Sequence, residues 1–282
     1  MDNYKNKMVL LTGFSGSIGY NLALEICRSG AKLIATDKSI ELVERAKNRL
    51  LKEFDFAQIE TFVCDYTNIN GVKELAQNVK QYLGETPLDF IFHCAGVFNK
   101  WQKLSDQGLE MQFQINYLAP YMLTELLKKN LLKSEYSRIV FLRTKFMSAQ
   151  FSEKYFELQN YKSINAYAFS KNCATLYALY LNQNNPENIR AIVITPKITN
   201  SNFFIKNNFG FSKYFFEKIK EMFVLPSRCA MDISEAVKIS VNTGAVKLSG
   251  RNPKRNRFSE QDLDNSKILI DYSNKFVDIY KK

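Results

Sequence analysis

The chain has 282 residues, a formal net charge of +11 and 46% hydrophobic residues, which is enough to bury a sizeable core. The sequence contains no run approaching the roughly 18 apolar residues that a membrane-spanning helix needs, and its start, MDNYKNK, lacks the apolar segment of a signal peptide. We therefore expect a cytoplasmic protein without a transmembrane segment.

The cysteines and the single histidine point away from two kinds of chemistry. The five cysteines are odd in number, widely spaced and free of any C-x-x-C pair, which argues against a disulfide framework and against a bound metal. We expect them to be reduced and mostly buried. His93 ends an apolar segment, so we predict a structural role for it rather than a hydrolytic one.

Short apolar segments alternate with amphipathic stretches along the chain. The predicted strands lie at residues 8–12, 32–36, 59–64, 88–94, 138–143, 189–195 and 245–249. The predicted helices lie near residues 18–29, 40–53, 69–83, 108–133, 163–183 and 232–243. Continuous apolar strands are typical of parallel sheets that are covered on both faces. The sequence therefore predicts an α/β fold, a single domain over residues 1–282 with a Rossmann-type doubly wound parallel sheet and helices on both faces.

Three segments near the C-terminus fall outside this alternation. Residues 199–225 are rich in phenylalanine and fit either an inserted helical hairpin packed on the core or a lid over an apolar substrate. Residues 258–282 predict a helical extension. The basic cluster RNPKRNR, residues 251–257, is interpreted as a solvated loop, because no nucleic-acid-binding motif accompanies it. We therefore expect no nucleic-acid partner.

The glycine-rich stretch TGFSGSIG, residues 12–19, lies between a predicted strand and a predicted helix. Glycine lets the backbone approach a pyrophosphate closely, and the helix N-terminus supplies free N–H groups and a partial positive charge. The spacing is looser than the usual G-x-G-x-x-G pattern. With the strand, the helix and an acidic residue 18 positions beyond Gly19, it predicts a dinucleotide site.

That acidic residue, Asp37, bears on which dinucleotide is bound. A carboxylate at the end of the second strand accepts hydrogen bonds from ribose hydroxyls and repels a 2′-phosphate, which favours NAD over NADP. Lys38 follows it and softens the preference. NADP therefore stays open as an alternative cofactor.

Tyr167 and Lys171 are four residues apart in a predicted helix, so both project from one face. Free tyrosine has a pKa near 10 and is a poor acid or base at neutral pH. A lysine ammonium about 4 Å away would lower that pKa by about 3 units at an effective dielectric near 20. Such a pair can act as an acid–base tyrosine. In isolation, however, Y-x-x-x-K also occurs by chance on many helices.

Together these motifs resemble the short-chain dehydrogenase/reductase family over about residues 6–250. The matching segments, in the family's order, are TGFSGSIG (12–19), Asp65 in FVCDYTN, HCAG (93–96), Asn116 in QINYLAP, SRIVFLRT (137–144), YAFSK (167–171) and ITPKITNS (194–201). Within the family the chain looks most like the retinol dehydrogenase-like branch. The long gap before the tyrosine, the NYLAPYMLTELLKKNLL helix, and LSGR followed by a final helix ending FVDIY carry that second resemblance.

The resemblance implies a set of functional residues. The implied catalytic residues are Asn116, Thr144, Tyr167 and Lys171, with Asn116 holding a water in a proton relay and Thr144 orienting the substrate carbonyl. The implied cofactor-binding residues are Gly13, Ser15, Gly16, Ser17, Ile18, Gly19, Asp37, Lys38, Asp65, Tyr66, Ala95, Gly96, Tyr167, Lys171, Pro196 and Ile198. Family members usually associate through the helices represented here by 108–133 and 163–183, which implies a homodimer or homotetramer.

The chain departs from the family pattern at three places. Thr144 replaces the catalytic serine but keeps a hydroxyl, with Ser148 as a fallback. His93 and Cys94 replace the two asparagines of N-N-A-G. Lys197 replaces the glycine after the proline and could displace the loop beside the nicotinamide.

The resemblance implies an NAD(P)-dependent oxidoreductase that interconverts an alcohol and a carbonyl. The Phe-rich segment suggests an apolar substrate such as a retinoid, steroid or lipid alcohol. The departures motivate an alternative, a related protein that binds NAD(P)(H) as a sensor or scaffold with little catalysis.

Overall fold

The structure is a computed structural model that describes residues 4–143, 151–152, 161–197, 224–243, 247–249, 251–253 and 258–278. The described strands are β1 (Met8–Thr12), β2 (Lys32–Asp37), β3 (Gln58–Val63), β4 (Phe90–His93), β5 (Ser137–Leu142), β6 (Ile189–Thr195), β7 (Lys247–Ser249) and β8 (Asn252–Pro253). They form one sheet in the order β3-β2-β1-β4-β5-β6-β7-β8. All pairings from β3 to β7 are parallel, and β8 is antiparallel to β7.

The described helices connect these strands. They are α1 (Ser17–Arg28), α2 (Ile40–Glu53), α3 (Ile69–Leu83), α4 (Met111–Phe113), α5 (Ala119–Leu126), α6 (Lys128–Leu132), α7 (Ser163–Asn184), α8 (Pro226–Thr243) and α9 (Glu260–Asp278). A π-helical turn, Gln114–Leu118, joins α4 to α5. The alternation of strands and helices confirms the predicted doubly wound fold.

Successive strand residues point into two different hydrophobic cores, one on each face of the sheet. On one face, Leu10, Ile91 and Ile139 pack with side chains of α3, α5, α7 and α9. On the other face, Val9 and Phe92 pack with side chains of α1, α2 and α8. This burial on both sides explains why the strands are apolar throughout, as parallel strands under two helical layers are.

The order of the strands reverses between β1 and β4. The chain runs from β1 outward to β3 on one side and then crosses back to β4 on the other side of β1. In open parallel sheets, a crevice forms beyond the carboxyl ends of the strands at this reversal, and ligands bind there. The glycine-rich stretch follows β1 and residues 93–96 follow β4, so the fold brings both predicted segments to the crevice.

The C-terminal helix α9 lies against α7 and the π-helical turn. Its Leu269, Ile270 and Val277 are buried in the same core as α5 and α7. The Tyr117 and Ser273 hydroxyls are 2.7 Å apart, and the Tyr121 hydroxyl donates to Asn274 Oδ1 at 2.7 Å. A helix of the chain itself therefore covers part of the helical layer that was expected to meet a second subunit. The predicted homo-oligomer stays a prediction, and we expect any self-association to use surface outside this contact.

Several sequence predictions fall partly or wholly outside the described residues. Most of the Phe-rich segment, residues 199–223, and residues 254–257 of the basic cluster are among them. Arg251, at the start of that cluster, donates to Asp232 at 2.7 Å. The cysteines are free thiols, four of them buried. In the described ranges we find no helix with the length and apolar character needed to span a bilayer.

Candidate cofactor and active site

The glycine-rich stretch forms a tight loop between β1 and α1. Gly13 has a φ of +71°, and a side chain there would place its Cβ 2.8 Å from the backbone of Ala95. A Cβ on Gly19 would lie 2.1 Å from the Gly13 carbonyl oxygen, so a side chain at either position forces the backbone apart. The Phe14 N–H donates to the Thr36 carbonyl at 3.1 Å, which ties the loop to β2. Close backbone packing therefore requires these two glycines.

The N-terminus of α1 is open to an anion. Its N-cap residue is Gly16, which provides no side-chain cap, and the first turn contains no acidic residue. The neighbouring helices α2 and α3 are instead capped by the side chains of Ser39 and Asn68. The free N–H groups and the helix dipole at α1 suit a phosphate. The predicted residues Ser17 and Ile18 begin α1, and Ser15 immediately precedes its N-cap.

Asp37 lies at the carboxyl end of β2 and is almost fully buried. Its two carboxylate oxygens accept hydrogen bonds from the Ser15 N–H at 2.7 Å and the Lys38 N–H at 2.8 Å. An ionised carboxylate has further lone pairs, so a ribose hydroxyl can still donate to it. Asp37 thus also fixes the glycine loop, a role that the spacing alone does not reveal.

The other residues predicted to lie beside the adenine are placed differently from one another. Asp65 is exposed and accepts from the Thr67 N–H at 2.9 Å. The Tyr66 side chain is buried, with its hydroxyl 3.0 Å from Thr36 Oγ1, and burial raises its pKa. A cofactor bound beyond the carboxyl end of β3 could therefore contact the Tyr66 main chain rather than its phenol.

The segment after β4 lies against both the glycine loop and the predicted catalytic helix. The Ala95 N–H donates to Thr12 Oγ1 at 3.1 Å. A Cβ on Gly96 would come within 3.1 Å of Asn116 Oδ1 and 3.4 Å of Lys171 Nζ. Gly96 therefore allows the asparagine, the lysine and this loop to approach one another.

His93 has the structural role that the sequence predicts. Its ring is buried, stacks on Phe141 with centroids 5.0 Å apart, and places Nε2 2.9 Å from Thr124 Oγ1. Burial, reinforced by the charge of Lys171, lowers the pKa of His93 to about 3. The imidazole is therefore neutral at physiological pH.

Asn116 lies in the π-helical turn and its amide clamps two segments together. Oδ1 accepts from the Val97 N–H at 2.8 Å, while Nδ2 donates to the Val97 carbonyl at 2.9 Å and to Ser170 Oγ at 3.0 Å. The Ser170 hydroxyl in turn donates to the Tyr167 carbonyl at 2.8 Å. Asn116 is thus connected to the helix that carries the tyrosine. Its predicted role of holding a water is not tested by these contacts.

Tyr167 and Lys171 share one face of α7, as the four-residue spacing predicts. The Lys171 ammonium lies 5.9 Å from the centre of the Tyr167 ring. The Phe98 ring meets the same tyrosine edge-on at 5.7 Å between centroids. Phe98 belongs to the loop that follows Gly96, so α7 and this loop together form one wall of the crevice.

The expected lowering of the tyrosine pKa is not found in this structure. Burial raises the pKa of Tyr167 above its usual value, because removal from water disfavours the charged phenolate. Burial also lowers the pKa of Lys171 to about 8. At neutral pH the phenol therefore retains its proton.

Two predicted site residues, Thr144 and Ile198, lie outside the described residues, as does the fallback Ser148. Pro196 follows β6, whose neighbour in the sheet is β5. The backbone N–H of Arg143, which follows β5, donates to the Ile194 carbonyl at 2.8 Å. The ends of β5 and β6 are therefore adjacent. The role of Thr144 stays a prediction.

Sequence reasoning missed a partly buried polar cluster between the loop after β4 and the start of α7. Gln112 accepts from the Asn99 N–H at 3.1 Å and donates to the Tyr161 hydroxyl at 2.8 Å and the Ser163 carbonyl at 3.1 Å. The Tyr161 hydroxyl donates to the Asn99 carbonyl at 3.0 Å. The Glu110 carboxylate accepts from the Phe113 N–H at 2.7 Å. These bonds hold the loop after β4 against the start of α7. The only signal of this cluster in the sequence is that Glu110 and Gln112 lie shortly before Asn116.

Comparison with known proteins agrees with the fold. A family model described as short chain dehydrogenase matches residues 7–209. This is more than half of the chain, which therefore belongs to the short-chain dehydrogenase family.

The curated relatives include dehydrogenases of the predicted branch. Retinol dehydrogenase 14 of Mus musculus is 29% identical over 211 residues, covering 70% of this chain and 62% of its own. Retinol dehydrogenase 13 of Homo sapiens is 28% identical over 180 residues, covering 63% and 54%. An uncharacterized oxidoreductase of Schizosaccharomyces pombe is 33% identical over 121 residues, covering 43% and 35%. The chain thus spans about half the length of the curated relatives it matches.

Solved structures share the fold at low sequence identity. The oxidoreductase yciK from E. coli superposes with a TM-score of 0.67 at 21% identity, covering 89% of this chain and 97% of that chain. A metagenomic short-chain oxidoreductase in complex with NADP gives 0.63 at 15% identity, covering 89% and 100%. These likenesses support the doubly wound fold alone.

Proposed function

We propose that the protein is an NAD(P)-dependent oxidoreductase that interconverts an alcohol and a carbonyl. The observation that carries this proposal is the convergence at one crevice of the uncapped α1 N-terminus, Asp37, Gly96 and the Tyr167–Lys171 pair. An apolar substrate of the retinoid, steroid or lipid type remains part of the proposal. It is supported by the resemblance to retinol dehydrogenases.

The residues present fit a dinucleotide. The free N–H groups at the α1 N-terminus suit the pyrophosphate, and Asp37 suits the adenosine ribose. We propose NAD as the preferred cofactor, because the buried Asp37 carboxylate would repel a 2′-phosphate. When bound, the nicotinamide supplies or takes up the hydride.

The side chains are better prepared for carbonyl reduction than for alcohol oxidation. Tyr167 is protonated at neutral pH, so its phenol can donate a proton to a substrate oxygen as charge develops there. Lys171, with a pKa of about 8, stays largely protonated and can stabilise the resulting phenolate. Asn116 holds the Tyr167 turn through Ser170, so it acts by positioning the tyrosine.

The same observations favour one alternative, a protein that binds NAD(P)(H) without substantial turnover. The raised Tyr167 pKa opposes proton abstraction from an alcohol, and the Asn116 amide is engaged with Val97 and Ser170. Such a protein would bind cofactor with ordinary affinity and reduce no carbonyl.

The Tyr167→Phe variant tests the acid role. We expect it to bind NADH with the wild-type dissociation constant within about threefold. We expect its turnover to fall at least about 100-fold, since a positioned proton donor usually contributes that much. The readouts are cofactor titration with NADH and NADPH and reduction of a panel of aldehydes and ketones.

The matched control for this variant is Tyr82→Phe, because Tyr82 is an exposed tyrosine on α3. We expect it to keep both cofactor binding and turnover. Turnover of Tyr167→Phe within about threefold of wild type would refute the assigned role. Tighter binding of NADPH than NADH would refute the proposed cofactor preference.

A further inference from the structure

An apolar and basic patch surrounds the outer end of the loop that follows β4. Trp101, Leu104 and Ile164 expose 71%, 49% and 44% of their surface. Exposed large apolar side chains are ordinary when scattered, but a group of them rimmed by polar residues marks an interaction surface. We call these three residues, together with Lys100, Lys103 and Lys162, the Trp101 patch.

Hydrogen bonds keep the two segments of the Trp101 patch together. Gln112 joins the Asn99 N–H to the Ser163 carbonyl, and the Tyr161 hydroxyl donates to the Asn99 carbonyl at 3.0 Å. Residues 100–104 and residues 162–164 are therefore attached to the same group of hydrogen-bonded residues. The pairing of Leu104 with Glu110 fixes the far end of the first segment.

Among the described residues, the charges beside these apolar side chains are mainly positive. Lys100, Lys103 and Lys162 are exposed, and the Lys100 ammonium lies 5.2 Å from the Trp101 ring centre. Asp106 is the exposed acidic residue on the same loop, whereas the Glu110 carboxylate is buried and bonded to the Phe113 N–H. The chain as a whole carries +11. This surface is complementary to a negatively charged one.

The Trp101 patch is also next to the candidate active site. Phe98, three residues before Trp101, packs edge-on against Tyr167 with ring centroids 5.7 Å apart. The same loop therefore contacts Tyr167 through Phe98 and exposes Trp101 three residues later. A partner bound to the patch would lie close to the loop that contacts Tyr167.

We propose that the Trp101 patch binds the surface of an anionic lipid membrane. Tryptophan is well suited to the membrane–water boundary, because its ring is apolar and its N–H is polar. Lysines at the rim add electrostatic attraction to acidic headgroups. Docked in this way, the loop that contacts Tyr167 would lie at the lipid surface, which would shorten the path of an apolar substrate through water.

The chain contains a single tryptophan, so its fluorescence reports on residue 101 directly. We would titrate the full chain with vesicles of phosphatidylcholine containing phosphatidylserine, and with phosphatidylcholine alone. We expect a shift of emission to shorter wavelength and co-sedimentation with the anionic vesicles. With the neutral vesicles we expect little of either.

Charge variants test whether the Trp101 patch is responsible. Replacing Lys100, Lys103 and Lys162 together by glutamine should weaken vesicle binding by about 100-fold, which is about fivefold for each lysine near the surface. The matched control replaces Lys5, Lys32 and Lys52 by glutamine. These lysines are exposed at a distance from the loop, and the control removes the same net charge. We expect the control to bind within about threefold of wild type.

Three results would overturn the proposal. They are the absence of a shift with anionic vesicles, equal weakening by the two triple variants, and a shift that depends on protein concentration without vesicles. The last result would indicate that the Trp101 patch binds a second copy of the chain. Vesicle binding is measured without turnover, so this proposal can fail while the proposed reaction stands.

Discussion

Burial sets the charge of the side chains near the crevice. His93 is held neutral and Tyr167 keeps its proton, while the pKa of Lys171 is lowered to about 8. In each case removal from water disfavours the charged form. In this state the site combines a proton donor with a nearby cation, which suits carbonyl reduction.

His93 makes stability depend on pH in a defined window. Its pKa is about 3 in the folded chain and about 6.5 when exposed, so the unfolded chain takes up the proton first as the pH falls. The stability that neutral His93 contributes is fully present above about pH 6.5 and is lost progressively as the pH falls toward 3. From pH 7 to pH 5 we expect a loss of about 2 kcal/mol from this one group.

Urea unfolding at the two pH values measures this contribution. The His93→Asn variant removes the titrating group and serves as the comparison. The wild-type free energy of unfolding should fall by about 2 kcal/mol more than that of the variant. Equal losses in the two proteins would show that His93 is not held neutral in the folded state.

Among the helices, α9 acts as a brace for the site. It contacts α7, which carries Tyr167 and Lys171, and bonds through Ser273 to the π-helical turn that carries Asn116. The π-helical turn is itself an irregularity of the kind often found at functional sites. We infer that α9 contributes to the position of α7 and the π-helical turn, which carry the proposed catalytic residues.

Two neighbouring residues of α9 allow a paired test. Leu269 is fully buried, whereas Ile268 is 39% exposed. Leu269→Ala should lower the free energy of unfolding by about 2–5 kcal/mol, because it leaves a cavity in the core. Ile268→Ala should change it by about 0.5 kcal/mol or less. Urea unfolding of both variants gives the comparison, and similar losses would mean that α9 is not packed as described.

For the molecule as a whole, local sequence patterns predict the sheet and much of the crevice. Continuous apolar segments mark the parallel strands, and Gly13, Gly19 and Asp37 fall where their spacing predicts. The predicted helix over residues 108–133 proved to be three shorter helices, α4, α5 and α6, with the π-helical turn between α4 and α5, and periodicity does not reveal such a change of winding.

Long-range polar contacts could not be predicted in the same way. The hydrogen bond between Tyr117 and Ser273 joins residues 156 positions apart, and that between Gln112 and Tyr161 joins residues 49 apart. No local pattern encodes such pairs. The pKa of Tyr167 was mispredicted for a related reason, since the spacing to Lys171 is visible in the sequence but the depth of burial is not.

We propose that this crevice holds a nicotinamide and a carbonyl substrate so that a hydride passes between them. The most direct measurement uses NADH carrying two deuterium atoms at C4, incubated with a panel of apolar aldehydes and ketones, with mass analysis of the alcohols formed. We predict deuterated alcohol from at least one carbonyl, formed at least about 100-fold more slowly by Tyr167→Phe. Cofactor bound with ordinary affinity, but no deuterium in any product with either NADH or NADPH, would contradict the claim and favour the protein that only binds the cofactor.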